Sequence, residues 1–340
     1  MHKPLIKAML LAAIISFACS STHAQQKNSE AFDYAKRLGD GINFGNALEG
    51  PTEGSWGVVL KEEYFKAVKD AGFSHVRLPV RWSAHALSAP PYTVDPKFMD
   101  RVEWAISMAK KYNLLLVVNM HHYDELETAP DANRERFEAI WKQIAERFSS
   151  ASEDVAFELC NEPCKSLDAS KWNSILAETL HLVRVTNPKR TIVIGPAQWN
   201  NIDELSELTL PESDRNLIAT IHFYEPRQFT HQGAEWIGKE SYAWLGTHWN
   251  GSPAEVQTIS SRFDKAADWA KQHDRPMYLG EFGAYEKADM ESRERWTRTV
   301  RQQAMQRGWP TAYWEFCSGF GAYDPKKNKW RQPLLNALTH

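Results

Sequence analysis

The sequence predicts an α/β protein of the (β/α)8 TIM-barrel class, folded as a single domain. Three observations lead there. Short aliphatic runs alternate eight times with longer amphipathic stretches, the rhythm of repeated strand-then-helix units. Several of these runs, such as LLLVVNM and TIVIGP, are almost continuously apolar, as parallel strands covered on both faces are. The 340 residues contain no Pro/Gly/Ser-rich linker, repeat or low-complexity tract, so one large barrel accounts for the chain without division into modules. A doubly wound open sheet is the competing arrangement. It usually carries a Gly-rich phosphate turn after its first strand, and GINFGNALEG lacks the G-x-G-x-x-G spacing.

Taken in order, the strands are expected at Gly41 to Asn43, then HVRLPV (75 to 80), LLLVVNM (114 to 120) and VAFELC (155 to 160). The other four are TIVIGP (191 to 196), LIATIH (217 to 222), PMYLGE (276 to 281) and PTAYW (310 to 314). Helical periodicity falls between them, near residues 61 to 71, 96 to 111, 134 to 148 and 169 to 185. It recurs near 203 to 208, 254 to 273, 290 to 307 and 333 to 338, which completes eight units.

The first residues have the form of a secretory signal: Lys3 and Lys7, an apolar run from Ala8 to Ala18, then small residues ending Thr22-His23-Ala24. Cleavage after Ala24 leaves residues 25–340 as the barrel domain, and a secreted or periplasmic location is expected. The apolar run is too short to span a bilayer, which takes about 20 residues. Lipid anchoring through Cys19 is the alternative, disfavoured because Ser16 stands where an aliphatic residue belongs. With 40 basic residues against 43 acidic ones and no basic block, nucleic acid is not an expected partner, nor is a membrane. A monomer is expected. Without Cys19, Cys160, Cys164 and Cys317 remain, an odd number that argues for free thiols rather than a disulfide framework.

Catalytic groups of such barrels gather at the C-terminal ends of the strands. Those ends supply Asn46 and Glu49, Arg77, His121 and His122, Asn161 and Glu162, His222 and Tyr224, Glu281, and Trp314 with Glu315. One such residue has a dull explanation in solvation or surface pairing. Coincidence at seven strand ends does not.

The strings GFSHVRLPVRWS, NMHHYDEL, FELCNEP, IHFYEP, YLGEFGAY and AYWEFCSGFGAYD resemble, in order and spacing, the motifs of glycoside hydrolase family 5, the cellulase family. The likeness runs from about Gly41 to the C-terminus. It is nearest to the branch of single-domain endo-β-1,4-glucanases that also accept mannan, where GINFGNALEGP, FTHQGAEW and EFCSGFG occur together. The resemblance implies Glu162 as general acid/base and Glu281 as nucleophile of a retaining, cofactor-free and metal-free hydrolysis of β-linked polysaccharide or oligosaccharide. It further implies Asn46, Glu49, Arg77, His121, His122, Asn161, His222, Tyr224, His231, Trp236, Trp314 and Glu315 as substrate-binding residues, and a cis peptide after Trp314. Chemistry supports the two glutamates independently: retention needs two carboxyls about 5 to 5.5 Å apart, one ionised and one protonated. Arg77 and Tyr224 are expected to lower the pKa of Glu281, while burial and the facing charge raise that of Glu162.

Two rivals are weighed. A metal-dependent barrel using His121, His122 and His222 is disfavoured, because adjacent residues of a strand point to opposite faces. A non-catalytic sugar-binding barrel is disfavoured because both glutamates are present with their supports. β-1,4-Glucan is the expected substrate, with mannan, glucomannan or xyloglucan as alternatives, since residue identities do not fix loop geometry. Two residues depart from the family pattern: Cys164 after Asn-Glu-Pro, and Glu225, which adds a negative charge near the cleft.

Overall fold

A computed structural model describes residues 30–340. The expected signal segment and Cys19 lie outside the described residues. Eight parallel strands close a barrel in sequence order: β1 (Asp40–Asn43), β2 (His75–Leu78), β3 (Leu115–Asn119), β4 (Val155–Glu158), β5 (Ile192–Ile194), β6 (Leu217–Phe223), β7 (Met277–Phe282) and β8 (Thr311–Tyr313). Gly41 pairs with His75 on one side and Ala312 on the other, so the last strand returns beside the first. Every residue of β2, β4, β6 and β7 is buried, as expected of strands covered on both faces.

The helices begin where local chemistry tells them to. Asp95, Asp168, Ser252 and Asp289 each accept a backbone N–H in the first turn of the helices Pro96–Lys111, Ala169–Thr186, Pro253–His273 and Met290–Gln306. The helix expected from residue 134 starts earlier, at Pro130, whose missing N–H costs nothing at that position. The fifth connection, expected as a helix at 203 to 208, is instead a 3-10 helix, Ile202–Glu207. No helix among the described residues is long and apolar enough to cross a membrane.

One further helix, Glu30–Leu38, precedes the barrel and escaped the sequence reading. Its Ala31, Tyr34, Ala35 and Leu38 fall at the i, i+3, i+4, i+7 spacing of a single face. That face packs on Val117, Ala156, Val193, Ile218, Tyr278 and Ala312, the interior residues of six strands. Gly39, at φ +53°, ends the helix, and the chain turns directly into β1. The N-terminal end of the barrel is thereby stoppered, and the C-terminal end is left for the site.

Candidate active site

Arg77 lies on β2 with no exposed surface, and its five N–H donors are all engaged. Nε and Nη2 make a bidentate pair with Glu158 at 2.7 Å each. Nη1 donates to Glu281 Oε1 at 2.7 Å and to Asn43 Oδ1 at 2.8 Å, and Nη2 donates to Asn161 Oδ1 at 2.6 Å. One guanidinium thus fixes the ends of β1, β4 and β7. Glu158, two residues before Cys160, was not expected. A buried arginine with two carboxylates to serve was the signal that would have found it.

Glu281 also accepts from Tyr224 Oη at 2.8 Å. His222 Nδ1 is 2.7 Å from Glu162 Oε1 and 3.6 Å from Glu281 Oε2, so the imidazole stands between the two carboxyls. Donor atoms of Glu162, His222 and Glu281 all lie within 4.8 Å of one another. The carboxyl groups are therefore at the close separation of a retaining pair, far from the ~6.5 to 9.5 Å that leaves room for an inverting water.

Burial pushes Glu162 up to about 8, with the charges of Glu127 and Glu158 adding to it and Arg77 opposing. About a quarter of the side chain, 26%, faces the cavity, the part a bound sugar would cover. The expectation for Glu281 is corrected: burial raises its pKa, outweighing His222, Arg77 and the Tyr224 hydrogen bond, which all favour ionisation. Arg77 cannot act on Glu281 alone because Glu158 already holds it. With His222 neutral, Glu281 still has Arg77 and the Tyr224 hydroxyl favouring its charged form where Glu162 has only Arg77, so Glu281 is the member that ionises first.

The remaining residues form the walls. The Trp314 ring stacks over His121 with centroids 5.3 Å apart and planes 9° from parallel, and the Trp314-Glu315 peptide is cis. Asn119 Nδ2 donates to His121 Nδ1 at 3.1 Å, which leaves the hydrogen on Nε2, 4.0 Å from Glu281. Burial holds His121 well below the usual histidine range, and His122, His222 and His231 down to about 4, so all four rings are neutral at pH 7. His121 and His122 both line the cavity, contrary to the expectation of opposite faces, because β3 ends at Asn119 and neither belongs to it. His231 Nδ1 donates to Thr230 Oγ1, whose own hydrogen goes to the Tyr224 carbonyl, and Nε2 is left as an acceptor.

Asn46, Glu49, His121, His122, Asn161, Glu162, His222, Tyr224, His231, Trp236, Glu281 and Trp314 line one cavity of about 950 Å³. Arg77 and Glu315 are not among the residues that line it. Arg77 lies beneath the floor. Glu315, buried, spends its carboxylate on the backbone N–H groups of Cys317, Ser318 and Phe320. Glu49 does the same for Ala47, at 3.0 Å, and Asn46, whose own amide reaches Ser318 Oγ. Trp236, 59% exposed, packs edge-on against Tyr285 with centroids 4.9 Å apart.

Sequence reasoning missed two lining tryptophans. Trp56, 40% exposed, meets His122 edge-on, and Trp199, 49% exposed, follows β5. Trp199 was findable as an aromatic just past a strand end. Trp56 was hidden in a glycine-flanked loop. The charge of Glu225 is not free in the cleft, since Arg262 pairs with it at 3.1 Å. Cys160, Cys164 and Cys317 are buried free thiols.

Distance alone would let Glu162, His222 and Glu281 hold a cation. The donor set argues otherwise: Arg77 already places a positive charge 2.7 Å from Glu281, and a second one would confront it.

Two facing glutamates, one held protonated, at the C-terminal rim of a (β/α)8 barrel define the class: a glycoside hydrolase built for retention. The chain belongs to the cellulase family, glycosyl hydrolase family 5, whose model matches residues 39–319. It is 36% identical over 318 residues to Endoglucanase H of Acetivibrio thermocellus, covering 92% of this chain and 34% of that protein. It spans between a third and two fifths of the first two curated relatives it matches, 34% and 39%. Among solved structures it is similar to endoglucanase Cel5A of the hyperthermophilic Thermotoga maritima, with 49% identity and a TM-score of 0.88 over 91% of this chain and 99% of that one. A structure of Thermotoga maritima Cel5A with mannotriose substrate matches at 48% identity and a TM-score of 0.89, covering 91% of this chain and 100% of that one.

Proposed function

We propose that the protein is an endo-acting β-1,4-glucanase that cleaves its substrate by double displacement with retention of anomeric configuration. The observation that carries this reading is the facing pair, Glu162 raised to about 8 and within 4.8 Å of Glu281. Glu281 attacks the anomeric carbon as Glu162 gives its proton to the departing oxygen, so the C–O bond breaks and a glycosyl ester forms. Ester formation removes the charge of Glu281, and with it a force holding the proton on Glu162. Glu162 then takes a proton from water, which attacks the ester and frees Glu281. Asn161, with Oδ1 on Arg77, has Nδ2 left to donate to the 2-hydroxyl, and Trp314 provides the flat face on which that sugar stacks.

Glucan is favoured over mannan by the relatives, which are named endoglucanases; mannotriose bound to a similar enzyme keeps mannan in the assay. The test is hydrolysis of carboxymethylcellulose, barley β-glucan, glucomannan, galactomannan and xylan side by side, with anomeric NMR of the first product. Glucans are cut fastest, with viscosity falling ahead of reducing-end release, and the β-anomer appears first. Glu281→Ala and Glu162→Ala each remove glucan hydrolysis. Cleavage of xylan alone, or inversion, overturns the reading. Export and a monomeric state accompany it: secreted protein beginning at Gln25, of one-chain mass by light scattering, is the expected result.

A further inference from the structure

Between β5 and the 3-10 helix Ile202–Glu207 the backbone takes an unusual course. Gln198, Trp199 and Asn200 have φ of 53°, 60° and 54°, three consecutive left-handed residues of which none is glycine. L-residues enter that region singly as a rule, and a run of three persists only where its surroundings over-determine it. The surroundings here lead to the acid/base. Asn200, with no exposed surface, donates Nδ2 to the Asn161 carbonyl at 2.6 Å. The Trp199 backbone N–H donates to the Pro163 carbonyl at 3.2 Å. Those two carbonyls flank Glu162 on either side.

The remaining polar atoms agree. Asn161 N–H donates to the Met120 carbonyl at 2.9 Å and Asn161 Oδ1 accepts from Arg77, so Asn200 fixes the one main-chain atom of that residue still free to turn. Gly195 makes room for the arrangement, since a Cβ there would lie 2.0 Å from Asn200 Oδ1. Trp172 Nε1 holds the Gly195 carbonyl at 2.9 Å.

We propose that the left-handed turn Gln198–Asn200 is a clasp across the acid/base segment, and that Asn200 is a positioning residue which sets the direction of Glu162 by holding the peptide that precedes it. The proposal rests on the reading of Glu162 as proton donor. Rotation of the 161–162 peptide swings the Glu162 carboxyl, and displacement by about 1 Å is enough to cost a catalytic group much of its effect.

Asn200→Gly tests this, because glycine accepts the positive φ while the Nδ2 donor is lost with the side chain. Asn200→Asp is the second variant, keeping the shape while replacing the donor with an acceptor. Each is assayed for kcat/KM on cellotetraose, whose leaving group needs a proton, and on 2,4-dinitrophenyl β-cellobioside, whose leaving group departs without one. A variant that melts cooperatively is expected to lose roughly tenfold or more on cellotetraose, within the range attributed to acid catalysis, and less than about twofold on the activated substrate. Its alkaline pH limb on cellotetraose is expected to move as well. Equal losses on both substrates, or no loss on either, overturn the proposal. Failure of the glucanase reading is distinguishable: wild-type protein would then leave cellotetraose uncut, or Glu162→Ala would cut it as well as wild type.

Discussion

Glu162 and Glu281 are the same side chain in the same cavity, and only their neighbours distinguish the proposed proton donor from the proposed attacker. That difference predicts a pH profile. Hydrolysis needs Glu162 protonated, so kcat/KM on glucan declines as pH rises through about 8, where the free enzyme loses that proton. In Glu162→Gln the alkaline limb is absent, and activity on an unactivated substrate falls by about 10² to 10⁴, measured by initial rates between pH 5 and 10. An alkaline limb that survives the substitution would mean another group titrates there. At this scale the sequence was legible wherever chemistry repeats: a carboxyl, histidine or aromatic at a strand end. It was illegible for Glu158, which lies within β4 and reaches Arg77 across the barrel interior, and for Asn200, whose importance comes from a backbone conformation that Gln-Trp-Asn does not encode. The sign for Glu281 was misread for a related reason. A salt bridge to Arg77 was foreseeable, whereas its sharing with Glu158 and the depth of burial were not.

At the scale of elements, β7 carries Glu281, the proposed nucleophile, through an irregularity. Its pairing with β6 shifts register at Ile221/His222, which brings His222 opposite Glu281, and its pairing with β8 shifts between Leu279 and Phe282. Gly283 follows at once, and a Cβ there would lie 2.1 Å from the carbonyl oxygen of Trp314, whose N–H is bonded to the Phe282 carbonyl at 2.8 Å. Gly283→Ala therefore has to push β7 and β8 apart beneath Trp314. The expected outcome is a loss of more than about tenfold in kcat/KM, with a stability cost of about 1 to 3 kcal/mol by thermal melting, as for other overpacked sites. Wild-type kinetics would show that this close approach is dispensable. The eight strands and the strand-to-helix rhythm were readable from periodicity. The stopper helix Glu30–Leu38 was not, because a nine-residue amphipathic segment ahead of the first strand belongs to no βα unit. The fifth connection was misread because six residues suffice for the tighter 3-10 coil, which periodicity alone does not separate from a short α-helix.

For the whole molecule, buried acids set how stability depends on pH. Burial raises Glu49 and Glu162 to about 8 and Glu315 to about 7, so the folded state binds their protons more tightly than the unfolded chain does. Their contribution is complete below the unfolded carboxyl value of 4.5 and is lost as pH rises through 7 and 8. His75, His122, His222 and His231, lowered to about 4, act in the opposite direction, destabilising the fold as pH falls from 6.5 toward 4. Above pH 6.5 only the carboxyls remain, at up to about 1.4 kcal/mol per pH unit for each proton released. The melting temperature is expected to fall between pH 6.5 and 8. In Glu315→Gln it starts lower and falls less steeply, and a flat wild-type curve would contradict the assignment. Asn43 places a different demand on the molecule. Its Nδ2 reaches the carbonyls of Gly280, Ala312 and Tyr313 at 3.0 to 3.3 Å, while its Oδ1 receives Arg77, the same arginine that grips Glu281. The first strand to leave the ribosome thus completes its bonds only when the last one arrives, and a nascent chain that stops short of β8 lacks two of the three carbonyls to which Asn43 donates. Turnover in a translation mixture should appear only with full-length product, making activity a timer for the closing of the cylinder.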